Sequence, residues 1–194
     1  MQSAAILAGG RATRFGGLDK SALIVEGRTI LERQLAALSA LTTDLLLVGG
    51  GRAIPGARAV ADIVPDCGPL GGLHAALTAA RGDAVFVVAC DMPYITSAFA
   101  RYLLDLAAHA DLVVPQTEDG YHPLCAVYTR ACLGPVAQRL ADRRLKLTDL
   151  VLELRARVVT VDEINLFGDR HRLLANVNTP AEHAGLEALQ GHKL

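Results

Sequence analysis

The sequence predicts a single-domain, three-layer α/β/α protein with a mainly parallel sheet, and three observations predict it. Short runs rich in Val, Ile, Leu and Ala alternate with segments of helical period along the 194 residues. Most of those runs are apolar without alternation, as burial on both faces of a parallel sheet requires. Helix starts are visible between them, each with a physical reason. In chain order the strand candidates are Ala4–Ala8, Leu45–Val48, Ala57–Ala61, Ala84–Ala89, Leu112–Val114, Leu124–Tyr128 and Val158–Val161. Thr29 and Glu32 form a capping box ahead of "ILERQLAALSAL", and Thr179 and Glu182, with Pro180 at the first helical position, form another ahead of the last helix. Asp119-Gly120 between two strand candidates is a hairpin signal. The run "DRRLKL", Asp142–Leu147, reads as a helix junction with solvated charges.

A chain of this length is large enough to bury about 70% of its unfolded surface in one core, so a second domain is not expected. Residues 1–194 read as one domain. Hydrophobic residues make up 52%, charged residues 20%, and the formal net charge is -1. That balance gives no electrostatic footprint for nucleic acid. The start "MQSAAILAGG" lacks a basic leader, and no run approaches a membrane span, so neither a membrane nor an export route is expected and the chain is placed in the cytoplasm. Cys67, Cys90, Cys125 and Cys132 show no CxxC spacing and read as reduced, mostly buried thiols. The six histidines form no HxxxH or HExxH pattern.

The densest signal is "ILAGGRATRFGGLDKSAL", Ile6–Leu23, which closes the first strand. In an open α/β sheet such a loop lies at the carboxyl end of a parallel strand, where ligands bind. Gly9 and Gly10 let the backbone approach a ligand and aim N–H groups at an anion, while Arg11, Arg14 and Lys20 add mobile cations. A polyphosphate suits those parts. Neither GxxxxGK[ST] nor GxGxxG occurs there, which excludes two familiar phosphate loops.

"LAGGRATRFGGLDKSAL" resembles the LAGG-x-x-x-R-h-G-x-D-K signature of the MobA-like nucleotidyltransferases. The resemblance continues in order through "GPLGGLHAAL", "VVACDMPYI", "DGYHPLCAVY" and "ANVNTPAE". The full set is similar to the molybdopterin guanylyltransferases in particular. It implies a Rossmann-like α/β/α sandwich that transfers GMP from GTP to the terminal phosphate of molybdopterin cofactor, releasing pyrophosphate, with Mg²⁺ as cofactor. It implies GTP and molybdopterin cofactor as partners, together with a molybdoenzyme apoprotein or cofactor-delivery proteins.

By the same resemblance Leu7, Ala8, Gly9 and Gly10 supply backbone to the nucleotide, and Lys20 lies against its phosphates. Asp62 binds its base or sugar side, and Asp91 is the magnesium ligand. Catalysis would rest on Arg14, Lys20 and Asp91, and the acceptor on His122, Asn176 and Asn178. One departure stands out: where relatives carry an asparagine after the second strand, this chain has Gly49, Gly50 and Gly51.

The residues themselves support part of this. Asp91 directly follows the buried-strand candidate "AVFVVAC", so its carboxylate would emerge beside the glycine loop, and a single hard oxygen there suits Mg²⁺. A phosphate attacker is already ionised, so no general base is needed, and no Ser/His/Asp or Cys/His constellation is present. Residues two apart in an extended segment share a face, which pairs Asn176 with Asn178; turn formation and helix capping account for the two asparagines equally well. Two alternatives remain: a molybdopterin cytidylyltransferase or a guanylyltransferase with another small phosphate acceptor, and a non-catalytic nucleotide-binding adaptor.

Overall fold

Alternate residues of the first strand, Gln2–Leu7 (β1), set the architecture. Ala4 and Ile6 fall in one core cluster, and Ala5 and Leu7 in a second one on the opposite face. The computed structural model describes residues 1–8, 20–51 and 54–177. The glycine loop at 9–19, the asparagine at 178 and the expected helix after Thr179 lie outside the described residues.

A short hairpin, Ile24–Val25 (β2) and Arg28–Thr29 (β3), leads into helix α1, Ile30–Ser39. The Thr29 and Glu32 capping box is present in both directions. Then come β4 (Leu45–Val48), β5 (Arg58–Val60), α2 (Gly68–Ala79), β6 (Ala84–Ala89) and α3 (Ser97–Leu106). The remainder is β7 (Leu112–Thr117), β8 (Gly120–Tyr121), β9 (Cys125–Thr129), α4 (Leu133–Ala141), α5 (Leu147–Glu153), β10 (Ala156–Val159), α6 (Val161–Asn165) and α7 (Arg170–Leu173).

The eight-stranded sheet runs β10-β7-β9-β6-β1-β4-β5, with β8 paired to β7. The strands β5, β4, β1 and β6 are parallel neighbours, as are β10 and β7, whereas β9 is antiparallel to both β6 and β7. Leu31 and Leu38 of α1 with Phe99 and Leu103 of α3 cover one face, joined by Ile164 of α6 and Leu173 of α7. Leu70, Leu73 and Leu77 of α2, Val136 and Leu140 of α4 and Leu150 of α5 cover the other. The expected three layers are therefore present.

Every expected strand exists; Leu45–Val48 and Ala84–Ala89 have the expected ends and the other five are shifted. The last is Ala156–Val159 instead of Val158–Val161, because Thr160 accepts a hydrogen bond from the Glu163 N–H and draws Val161 into α6. The strand expected at Leu112–Val114 continues through Pro115 to Thr117, and the Pro115 carbonyl accepts from the His122 N–H. A hairpin does form there, between β7 and β8, but its two-residue loop is Glu118-Asp119: Gly120, at φ 108°, already pairs with Thr117. The candidate Ala57–Ala61 shrinks to Arg58–Val60, an edge strand that is only half-buried. "DRRLKL" is the junction between α4 and α5. None of the four cysteines is in a disulfide, and Cys67, Cys125 and Cys132 are buried. Burial pushes the Cys125 thiol up and that of Cys132 up to about 12, which removes both as nucleophiles.

Candidate active site at the carboxyl edge of the sheet

Because β5, β4, β1 and β6 run parallel, their carboxyl ends share one edge, and the reversed β9 brings its beginning to the same edge. Backbone bonds knit this edge together: Gly49 N–H to Val60 carbonyl (2.9 Å), Ala8 to Val48 (2.8 Å), Cys90 to Leu7 (3.1 Å) and Ala89 to Leu124 (2.9 Å). The chain leaves β1 for β4 and β5 on one side and places β6 on the other, so the switch point of this open sheet lies between β1 and β6. Leu7, Ala8 and Asp91 stand on its two sides.

Asp62 follows β5, three strand spacings from β6, so about 14 Å of sheet edge separates the two positions. Its side chain is exposed, yet desolvation by the protein around it raises its carboxyl above the ordinary carboxylate value. The start of α2 also lies at this edge, and Cys67 gives that helix no side-chain cap. Its first N–H groups therefore suit an anion. A side chain at the centre of the glycine triplet would require the buried Leu47 side chain to shift. A Cβ at Gly50 would stand 2.9 Å from Leu47 Cδ2 and 3.5 Å from the Ala8 Cβ, while Gly49 and Gly51 take φ values of 76° and 67°. The loop offers backbone there, not a side chain.

The half-buried Asp91 sits in a turn gripped from α1. Gln34, 1% exposed, donates from Nε2 to the carbonyls of Ala89 (2.7 Å) and Met92 (3.0 Å). Arg33 Nε donates to the Pro93 carbonyl at 3.1 Å. Three carbonyls around one carboxylate are thereby fixed by two adjacent residues of one helix. Gln34 was not among the expected site residues, although its position carries a signal: with Leu31 and Leu38 it occupies the apolar stripe of α1 at spacings of three and four.

Asn176, remote in sequence, comes to this turn as well. The Val177 N–H donates to the Asp91 carbonyl at 2.8 Å, with Val177 buried and Asn176 exposed. His122 stands beside the start of β9, its Nε2 sharing a hydrogen bond with Thr117 Oγ1 at 2.8 Å. Burial lowers its imidazole pKa, against the opposing pull of Asp119. Lys20 begins a 3₁₀ turn, Lys20–Ala22; its side chain, like Gly9, Gly10, Arg11, Arg14 and Asn178, lies outside the described residues. Among the described residues no group of three or more His, Cys, Asp or Glu could hold a metal. One hard carboxylate at the edge instead fits a cation that takes most of its oxygens from water and a ligand's phosphates.

Fold and edge together define an open α/β sandwich with the carboxyl ends of β5, β4, β1 and β6 and the start of β9 along one edge. The chain belongs to the MobA-like NTP transferase domain family, which it matches over residues 4–158. It is 34% identical over 181 residues to a protein of Pelotomaculum thermopropionicum named probable molybdenum cofactor guanylyltransferase, covering 91% of this chain and 87% of that one. A molybdenum cofactor guanylyltransferase of Desulfosudis oleivorans is 32% identical over 191 residues, covering 94% and 93%. The crystal structure of molybdopterin-guanine dinucleotide biosynthesis protein A from Archaeoglobus fulgidus superposes with a TM-score of 0.80 at 22% identity, over 98% of this chain and 99% of that one. Among the described residues no helix is long and apolar enough to cross a membrane.

Proposed function

We propose that the protein transfers GMP from GTP to the terminal phosphate of molybdopterin cofactor and releases pyrophosphate. The observation that carries this reading is the gathering of Leu7, Ala8, Asp91 and Asn176 at the β1/β6 switch point of a chain that belongs to this family. The reaction forms a bond from an acceptor phosphate oxygen to the α-phosphorus of GTP and breaks the α–β anhydride bond. A phosphomonoester is largely dianionic at pH 7, its second pKa being about 6, so no residue has to remove a proton. The chain's part is to hold attacker and leaving group in line and to offset charge.

In this reading the backbone at Leu7, Ala8, Gly9 and Gly10 and the start of α2 receive the nucleotide, and Arg14 and Lys20 meet its phosphates. Asp62 faces its base or sugar. With glycine at positions 49 to 51, base recognition at that point falls to main-chain groups. Asp91 would hold Mg²⁺, which when bound neutralises phosphate charge and polarises the reacting phosphoryl group. His122, Asn176 and Asn178 receive the acceptor, so the cleft divides into a nucleotide half from residues 1–110 and an acceptor half from 111–194. A GTP-dependent biosynthetic step of this kind belongs in the cytoplasm.

Pyrophosphate release measured with GTP, CTP, ATP and UTP, with and without molybdopterin cofactor, tests the reading. Release with GTP that depends on the cofactor is expected. A preference for CTP would make the protein a cytidylyltransferase, and binding without release a non-catalytic adaptor.

A further inference from the structure

The hairpin of β2 and β3, the Asp91 turn and the C-terminal segment meet in one cluster of charge. At the hairpin tip Glu26 and Gly27 take φ values of 50° and 79°. Both central residues of this turn are left-handed, a conformation that asparagine and glycine adopt readily and glutamate does not. The carboxylate placed there is used on both oxygens: Oε2 pairs with Arg33 at 3.0 Å and Oε1 with Arg172 of α7 at 2.5 Å. The guanidinium carbons of Arg33 and Arg172 lie 5.5 Å and 4.3 Å from the centre of the Tyr94 ring, three residues beyond Asp91. Beneath them Val25, Ile30, Tyr94 and Val177 form a separate small apolar cluster. Val177 is the residue whose N–H reaches the Asp91 carbonyl.

We propose that Glu26, with Arg172, is a positioning pair that fixes the register of the segment carrying Asn176 against the Asp91 turn. That segment meets the turn and the hairpin through the Val177 amide, the Val177 and Ala175 side chains and Arg172. Glu26 lies between the end of the glycine-loop motif at Leu23 and the start of α1 at Ile30. The hairpin that continues this motif therefore reaches the acceptor segment through one carboxylate, with Val25 packed beside it. The side chains of Glu26, Arg33 and Arg172 are 33%, 23% and 37% exposed and border an open cavity of about 560 Å³. Neutral variants there remove the pairing without opening the core.

The acceptor part of this inference rests on the proposed guanylyltransferase reading. The test is a double-mutant cycle of Glu26→Gln and Arg172→Gln, with two readouts. In turnover, each single variant raises the KM for molybdopterin cofactor about tenfold, leaves the dissociation constant of GTP within about twofold, and the double variant is no worse than the poorer single. In hydrogen exchange, which needs no activity, the Val177 amide exchanges faster in both singles while amides of β1 and β6 keep their protection. Unchanged Val177 exchange overturns the positioning role whatever the reaction proves to be. Faster Val177 exchange in a protein that never transfers GMP to the cofactor keeps the pairing and removes the guanylyltransferase reading. Equal loss of GTP and cofactor binding overturns the proposal by showing a general loosening of the site.

Discussion

Asp91 is where chemistry and chain position coincide most closely. It follows a six-residue, largely buried strand at the sheet's ligand edge, and its main-chain surroundings are pinned by Gln34 and Val177. Asp91→Asn keeps the shape of the side chain and removes its charge. Turnover is expected to fall by about two orders of magnitude, the range for a single electrostatic contributor, with the melting temperature little changed because the residue is half-buried in a turn. Pyrophosphate release and a thermal melt of the same preparation check both halves, and full activity would remove this carboxylate from the reaction. Asp91 was legible because an apolar run announces where a buried strand ends. Asn176 was legible only as a candidate, since nothing local says that residue 177 bonds to residue 91.

At the scale of elements, α1 does more than cover the sheet. Its capped start at Thr29 directs Leu31 and Leu38 into the core, and the same face delivers Gln34 to the turn after β6. Gln34→Met keeps the volume and removes both donors. The carbonyls of Ala89 and Met92 then lose a partner, which should cost about 1–3 kcal/mol of stability. If the bonds serve the site as well as the fold, turnover drops at conditions where the variant is fully folded. Urea unfolding followed by kinetics below the transition separates the two effects. Two element boundaries differ from sequence expectation for different reasons: Thr160 and Glu163 form a capping box, the same local pattern as Thr29 and Glu32, whereas the Pro115 carbonyl is held by the His122 N–H across a hairpin.

At the scale of the molecule, the edge opposite the site is held by a buried carboxylate. Asp44, 1% exposed, accepts from Ser3 Oγ (2.6 Å), the Arg81 N–H (2.8 Å) and Arg58 (2.8 Å), linking β1, β5 and the α2–β6 connection. Burial alone would push its carboxyl up, but Ser3, the Arg81 amide and Arg58 together hold it below the ordinary value of 3.8. A lowered folded pKa means that this stability is present above the unfolded pKa and is lost as pH falls through the folded one. Glu163 behaves alike: burial is outweighed by Arg157, the Thr160 amide and Tyr102, and its pKa sits at about 2. Wild-type stability should therefore decline on acidification from about pH 5. Asp44→Asn should lose about 3 kcal/mol at neutral pH, as expected for breaking a buried pair, and show a shallower acid dependence. Denaturation series at pH 7, 5 and 3 test this; parallel curves for the two proteins would show that Asp44 does not carry the dependence.

The layers and the strands were readable from the chain alone, because burial on two faces, capping and glycine chemistry act between near neighbours and leave a local pattern. The family resemblance read from the motifs is borne out by the family match over residues 4–158, which ends before "ANVNTPAE". Three-dimensional packing was needed to show which strands are neighbours, that β9 runs against β6 and β7, and that a Cβ at Gly50 would crowd the Leu47 side chain. Packing also joins Glu26 to Arg172 across 146 positions and Val177 to Asp91. Such contacts are set by how packed layers bring distant segments together, and no residue's immediate neighbours encode them.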